Sequence, residues 1–270
     1  MEGTVAPSDS PRLPLGYQEF VVRLLSDREH LFLDVVQGTT LGRTLWYVLA
    51  TIIGGAALYG VSAGAYSSVL QAASAAVKLP LLILATFAIC FPAFFVVQIL
   101  VGSRLRLLQA LVLALTAPAL TAVLLTAFIP ITVFFLITGA NYYFLELLHI
   151  ALVLIAGLTG MYALHEGLTL VCEKSGVYPR KAVTIMRVWA LLFAFVGIQM
   201  AWNLRPFLSD RGEPFKVFRH YEGNFYAAII YSLDKLLEGE DKAAPQAARG
   251  TTDVNQLLQL KPDTPTSPKR

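Results

Sequence analysis

Four ionisable side chains fall inside otherwise apolar runs, and their types are those of proton and metal chemistry. Glu146 and His149 are three apart and share one helical face, a spacing that suits a carboxylate–imidazole hydrogen bond or a proton relay. His165 and Glu166 follow in the same run. From His149 to His165 a helix rises about 24 Å and turns through roughly 160°. The two pairs therefore sit at opposite ends of one helix and on different faces, and they cannot form one site alone. A charge at mid-bilayer costs about 2.5–3.5 kcal/mol, which makes each a functional candidate. The plainer reading is interfacial anchoring. Glu146 lies in a first helical turn, where an acid suits the helix dipole, and His165 and Glu166 lie near the far end. The set lacks metal-ligand spacing, and no metal is expected.

Arg205 is the fifth candidate. It follows Trp202-Asn203 and precedes Pro206, and proline restricts the residue before it to extended geometry. A guanidinium fixed there could hold a lipid phosphate, a helix C-terminus or a partner carboxylate, with structural anchoring the preferred role. No Walker loop, strand-linked GxGxxG, HExxH or CxxC occurs, so neither a cofactor nor an enzymatic activity is expected.

The elements that must carry these residues follow from charge placement. The 270-residue chain is 56% apolar and 14% charged, well below the roughly 25% charged residues of a soluble domain. Residues 1–43 hold 10 charges, 205–270 hold 19, and the long middle holds 10. This predicts an all-α integral membrane protein with water-exposed ends. It excludes a disulfide scaffold, a coiled coil and a soluble enzyme. A net charge of +3 without a clustered basic face gives no reason to expect nucleic acid. Cys90 and Cys172 fall at different depths, so a bridge between them is not expected.

Residues 1–14 read as a flexible leader and 15–43 as an amphipathic helical segment, one helix or two, ending at Gly38. Its polarity suits the membrane surface or the underside of the bundle. The bundle covers 44–204. Its first span, 44–66, carries Ala56, Gly60 and Gly64 four apart, a small-residue face for close helix packing. That packing is expected within the bundle, with homo-oligomerisation as the alternative. The second span, 79–101, opens at Lys78-Leu79-Pro80, with Lys78 in the preceding loop and Pro80 in the first turn. Pro92 should kink it, and Gln98 is a lone polar group near its end. Residues 107–138 hold no charge over more length than the roughly 20 residues one crossing needs. Pro118 and Pro130 are expected to break this stretch into a span at 105–128 and a short piece at 130–138. Further spans are expected at 144–171 and 183–204. The total is five, with a six-span parse as the alternative. Residues 205–238 form an interfacial segment with an amphipathic helix at 223–238, whose Phe225, Tyr226, Ile229, Ile230, Leu233, Leu236 and Leu237 share one broad face. Residues 239–270 read as a disordered tail.

Basic residues in short loops orient the chain. Five spans with the N-terminus cytoplasmic place Arg12, Arg23, Arg28, Arg43, Arg104, Arg106, Lys174, Arg180 and Lys181 inside and only Lys78 outside.

Lys78-Leu79-Pro80-Leu81, the Gly102-Ser103-Arg104 loop and the Gln109-to-Pro130 span, within residues 40–172, make the chain resemble the Yip-domain superfamily of small multi-pass membrane proteins. The block Gln199–Phe207 with Asn224-Phe225 looks like one in uncharacterised bacterial polytopic proteins. The resemblance implies a non-enzymatic role in membrane organisation or recruitment; eukaryotic relatives engage small GTPases. The expected function is a multi-pass scaffold or anchor in the cytoplasmic (inner) membrane. It contacts the lipid bilayer and holds partner proteins through 15–37 or 205–238. The alternative is a small transporter or channel using the kinked helices and the Glu146/His149 pair.

Overall fold

A computed structural model describes residues 16–38, 40–100, 102–175, 180–208 and 229–234. The leader, the tail, Asn224-Phe225 and most of the 205–238 segment lie outside the described residues. Among these residues eight helices follow one another: α1 (Tyr17–Ser26), α2 (Arg28–Gln37), α3 (Leu41–Gly64), α4 (Val69–Leu100), α5 (Leu107–Ala127), α6 (Ile129–Ile137), α7 (Tyr142–Ser175) and α8 (Arg180–Asn203). Residues 229–234 are also helical. The molecule is an all-α bundle of the multi-pass membrane class. Five stretches are long and apolar enough to cross a bilayer: α3, α4, α5 with α6, most of α7, and α8 from Met186.

The amphipathic segment is two helices broken at Asp27. Gly38 closes α2 in a left-handed conformation (φ 81°), which costs a glycine little. The pair packs on the bundle. Phe20, Leu24, Leu31, Phe32 and Val35 are buried in the same core as the spans.

α4 begins ten residues before the expected start of the second span. The Ser68 hydroxyl accepts the Gln71 N–H and caps the helix, as serine does at an N-cap. The small residues Ala72 and Ala75 then let α4 pack along α3, where Gly60 meets Ala75 and Gly64 meets Ala72. This packing extends the helix upstream, so Pro80 is internal rather than in a first turn. Lys78 is likewise not a loop residue but a buried helical one. The turn between α3 and α4 then carries no basic residue.

The prolines of the spans are carried within helices. α4 runs on through Pro80 and Pro92, and α5 runs on through Pro118. Each proline removes one donor and crowds one carbonyl; Pro80 and Pro118 are buried in the bundle, whereas Pro92 is exposed. Only Pro130 marks a break, in the first turn of α6.

α3 packs between α4 and α5; α5 then meets α7, and α4 meets α8. Ala56 is fully buried. On the α4–α8 side, Trp189 lies between Phe94 and Phe193 and donates its indole N–H to the Cys90 carbonyl at 3.0 Å. Cys90 and Cys172 are both free thiols.

Candidate functional sites at the two ends of the bundle

The polar side chains gather at two levels. One level surrounds the α3–α4 hairpin. There the Tyr59 hydroxyl and His149 Nδ1 are hydrogen-bonded at 2.7 Å, with the rings edge to face. Tyr59 is 1% exposed. One turn nearer the start of α7, Glu146 accepts a hydrogen bond from the Ser232 hydroxyl at 2.8 Å, and Tyr143 meets Tyr231 edge to face. These contacts dock the helical piece 229–234 onto α7. Its buried residue is Ser232, whereas Ile230 and Leu233 are exposed. Of the apolar face expected of this segment, Ile230 and Leu233 are exposed, and Phe225, Tyr226, Leu236 and Leu237 lie outside the described residues. Asn141 starts α7 by accepting the Phe144 N–H.

On the neighbouring side, Gln71 and Lys78 lie seven apart, two turns along one face of α4. Both donate to the Pro206 carbonyl, at 2.7 and 3.2 Å. The Arg205 guanidinium lies over the Trp202 ring, where an arginine gains from the aromatic face. Arg205 and Pro206 therefore fasten the end of α8 to the start of α4.

The second level lies where α1 and α2 meet the spans. The Arg187 Nε–H donates to His165 Nε2 at 3.3 Å, joining α8 to α7. Arg28 and Glu166 are 3.8 Å apart, joining α2 to α7. Next to Glu166, Gly167 allows the Phe32 ring to lie against the backbone, since a Cβ there would overlap it. Gln109 donates to the Val36 carbonyl at 2.6 Å and accepts the Arg106 N–H at 2.8 Å, tying α2 to the start of α5. Arg23 pairs with Glu19 and Asp34, which holds α1 to α2. In the turn between them, a hydrogen bond from His30 holds the Asp27 carboxyl below its ordinary pKa.

Between these levels the interior is apolar, built by Val48, Ile52, Val112, Leu113, Leu120 and Ala156. Thr116 and Thr121 return their hydroxyls to carbonyls of their own helix. Among the described residues, the Thr86 hydroxyl and both polar side-chain atoms of Gln98 are buried without a hydrogen-bond partner.

Glu146 and His149 thus share one end of the bundle, while His165 and Glu166 sit at the other with different partners. Arg205 joins Gln71 and Lys78 through the adjacent peptide. Tyr59, Gln71, Lys78 and Gln109 were not among the sequence candidates. The signal for two of them was present: Ser68 as a cap starts the helix at Val69 and places Gln71 and Lys78 on one face. Among the described residues no cluster of three metal-ligating side chains occurs. No family model, curated protein or solved structure matches the chain.

Proposed function

We propose that this protein is a non-enzymatic multi-pass membrane anchor that holds a partner protein through its polar flanking segments. The observation that carries the reading is the attachment of α1–α2. The pair is fixed to the bundle by Arg28–Glu166, by Gln109 on Val36 and by Phe32 against Gly167. Even so, Val22 (60% exposed) and Leu25 (43%) point outward from α1. A rigid, water-facing helix with apolar residues left outside suits docking better than lipid burial. The apolar band across the middle of the bundle supports the same reading, because polar routes line transport paths. A bacterial inner-membrane location, a cytoplasmic N-terminus and the Yip-like relationship belong to this proposal.

The test is affinity purification of the full chain beside a V22D/L25D variant. The proposal expects a specific co-purifying protein that the variant loses while its melting temperature stays unchanged. Recovery of nothing specific, or equal recovery by the variant, refutes it.

A second reading, a small transporter or channel, draws support from the Tyr59–His149 pair within the spans. It requires that an E146Q/H149A protein in liposomes lose proton or solute flux. Unchanged flux removes it.

A further inference from the structure

At the end of the bundle that carries α1 and α2, the arginines whose side chains are described are Arg23, Arg28, Arg43, Arg104, Arg106 and Arg187, and their surroundings divide them. Arg23 is paired with Glu19 and Asp34, Arg28 faces Glu166, and Arg187 donates to His165. Arg43, Arg104 and Arg106 have no such partner among the described residues, and these three surround one pair of adjoining clefts.

The local chain explains why they converge. Residues 103–106 are not helical, and Arg106 is extended (φ −69°, ψ 154°). In extended chain, neighbouring side chains point to opposite sides. Leu105 is buried in the core, so Arg104 and Arg106 are both directed away from it. They line a cleft of about 310 Å³ with Gly38 and Gln109. The adjoining cleft shares Gly38 and Leu41 and is lined by Arg43, Thr40 and Leu108.

The backbone adds to the positive potential. α3 and α5 both begin here, and helix N-termini favour anions. The Thr40 side chain does not cap the first turn of α3. The end of α2 opposes this in part, with Gln109 donating to one of its last carbonyls, that of Val36.

The surface beside the clefts is apolar. Trp46, one turn along α3 from Arg43, is 69% exposed, and Leu107 and Leu108 follow Arg106 on the outside of α5. A tryptophan at the start of a span marks headgroup depth. The ligand that fits therefore joins a phosphate to an apolar body.

We propose that Arg43, Arg104 and Arg106 form a binding site for the phosphate of an anionic membrane phospholipid, whose acyl chains lie along Trp46, Leu107 and Leu108. The site is independent of any protein partner on α1.

Native mass spectrometry of the full chain in detergent tests it, with short-chain phosphatidylglycerol, phosphatidylcholine of equal chain length, and inorganic phosphate as competitor. The wild-type protein should retain phosphatidylglycerol in preference to phosphatidylcholine. An R43Q/R104Q/R106Q variant should lose that preference, at about fivefold per arginine. R104Q/R106Q, changed only at exposed positions, should lose most of it if the triple variant does not fold. R187Q, a charge removed from the same end, should keep it. Retention by the arginine variants, or an equal loss in R187Q, overturns the site. Displacement of the lipid by millimolar inorganic phosphate overturns the lipid as its ligand and assigns the clefts to free phosphate.

Discussion

Gly60 and Gly64 set how closely α3 and α4 approach. A Cβ at Gly60 would sit 2.5 Å from the Ala75 carbonyl oxygen, and one at Gly64 would sit 2.6 Å from Ala72. Both obstacles are backbone, which cannot rotate out of the way. Replacing Gly60 with leucine should therefore destabilise the bundle by about 1–3 kcal/mol or more, read as a lower melting temperature in detergent. Gly54 has open space beside it, so G54A should leave the melting temperature nearly unchanged. A fall as large as that of G60L would contradict this account of the α3–α4 contact. The small-residue spacing was legible in the sequence because it is a local pattern. The candidate polar residues were legible only as types. Glu146, His149, His165 and Glu166 announce themselves as ionisable groups in an apolar run. Ser232 and Tyr59, their neighbours' bonding partners, lie 86 and 90 residues away from Glu146 and His149, and no spacing rule reports contacts at that separation.

At the scale of elements, the attachment of α1–α2 depends on one side chain more than its size suggests. Gln109 satisfies both the last turn of α2 and the first turn of α5. An apolar residue there leaves the Val36 carbonyl and the Arg106 N–H without these partners, at about 1–3 kcal/mol for a group left unsatisfied. We expect Q109L to raise amide exchange across α1 and α2 while α3 and α4 exchange as before. Unchanged exchange in α2 would show that the aromatic contact at Gly167 suffices. Most element boundaries were readable within a few residues, since hydropathy and turn residues mark them. The start of α4 was not, because Lys78 and Pro80 read as a loop and a first turn. Packing against two glycines and an unrecognised serine cap outweighed both signals. Pro118 lies inside α5, as the expected span at 105–128 has it: a proline breaks an isolated helix, yet α5 is buried along most of its length and continuous through it.

The whole molecule joins an apolar middle to two polar ends. α4 and α7 have 32 and 34 residues, about 48 and 51 Å at 1.5 Å per residue, against a hydrocarbon core of about 30 Å. Both helices are longer than one crossing needs, and Gln71, Glu146, Glu166 and the flanking contacts lie toward their ends. The few charges of the middle are used there to fasten helices to one another. Charge placement alone revealed this division, because the cost of burying charge acts on every residue of the middle at once. The central claim is that five crossings separate the two flanks, so that α1–α2 and the segment docked on Glu146 face different compartments. Reporters of compartment placed at Met1 and at Arg270 of the full chain test it most directly. The account predicts a cytoplasmic signal at Met1 and none at Arg270; cytoplasmic signal from both ends would contradict it.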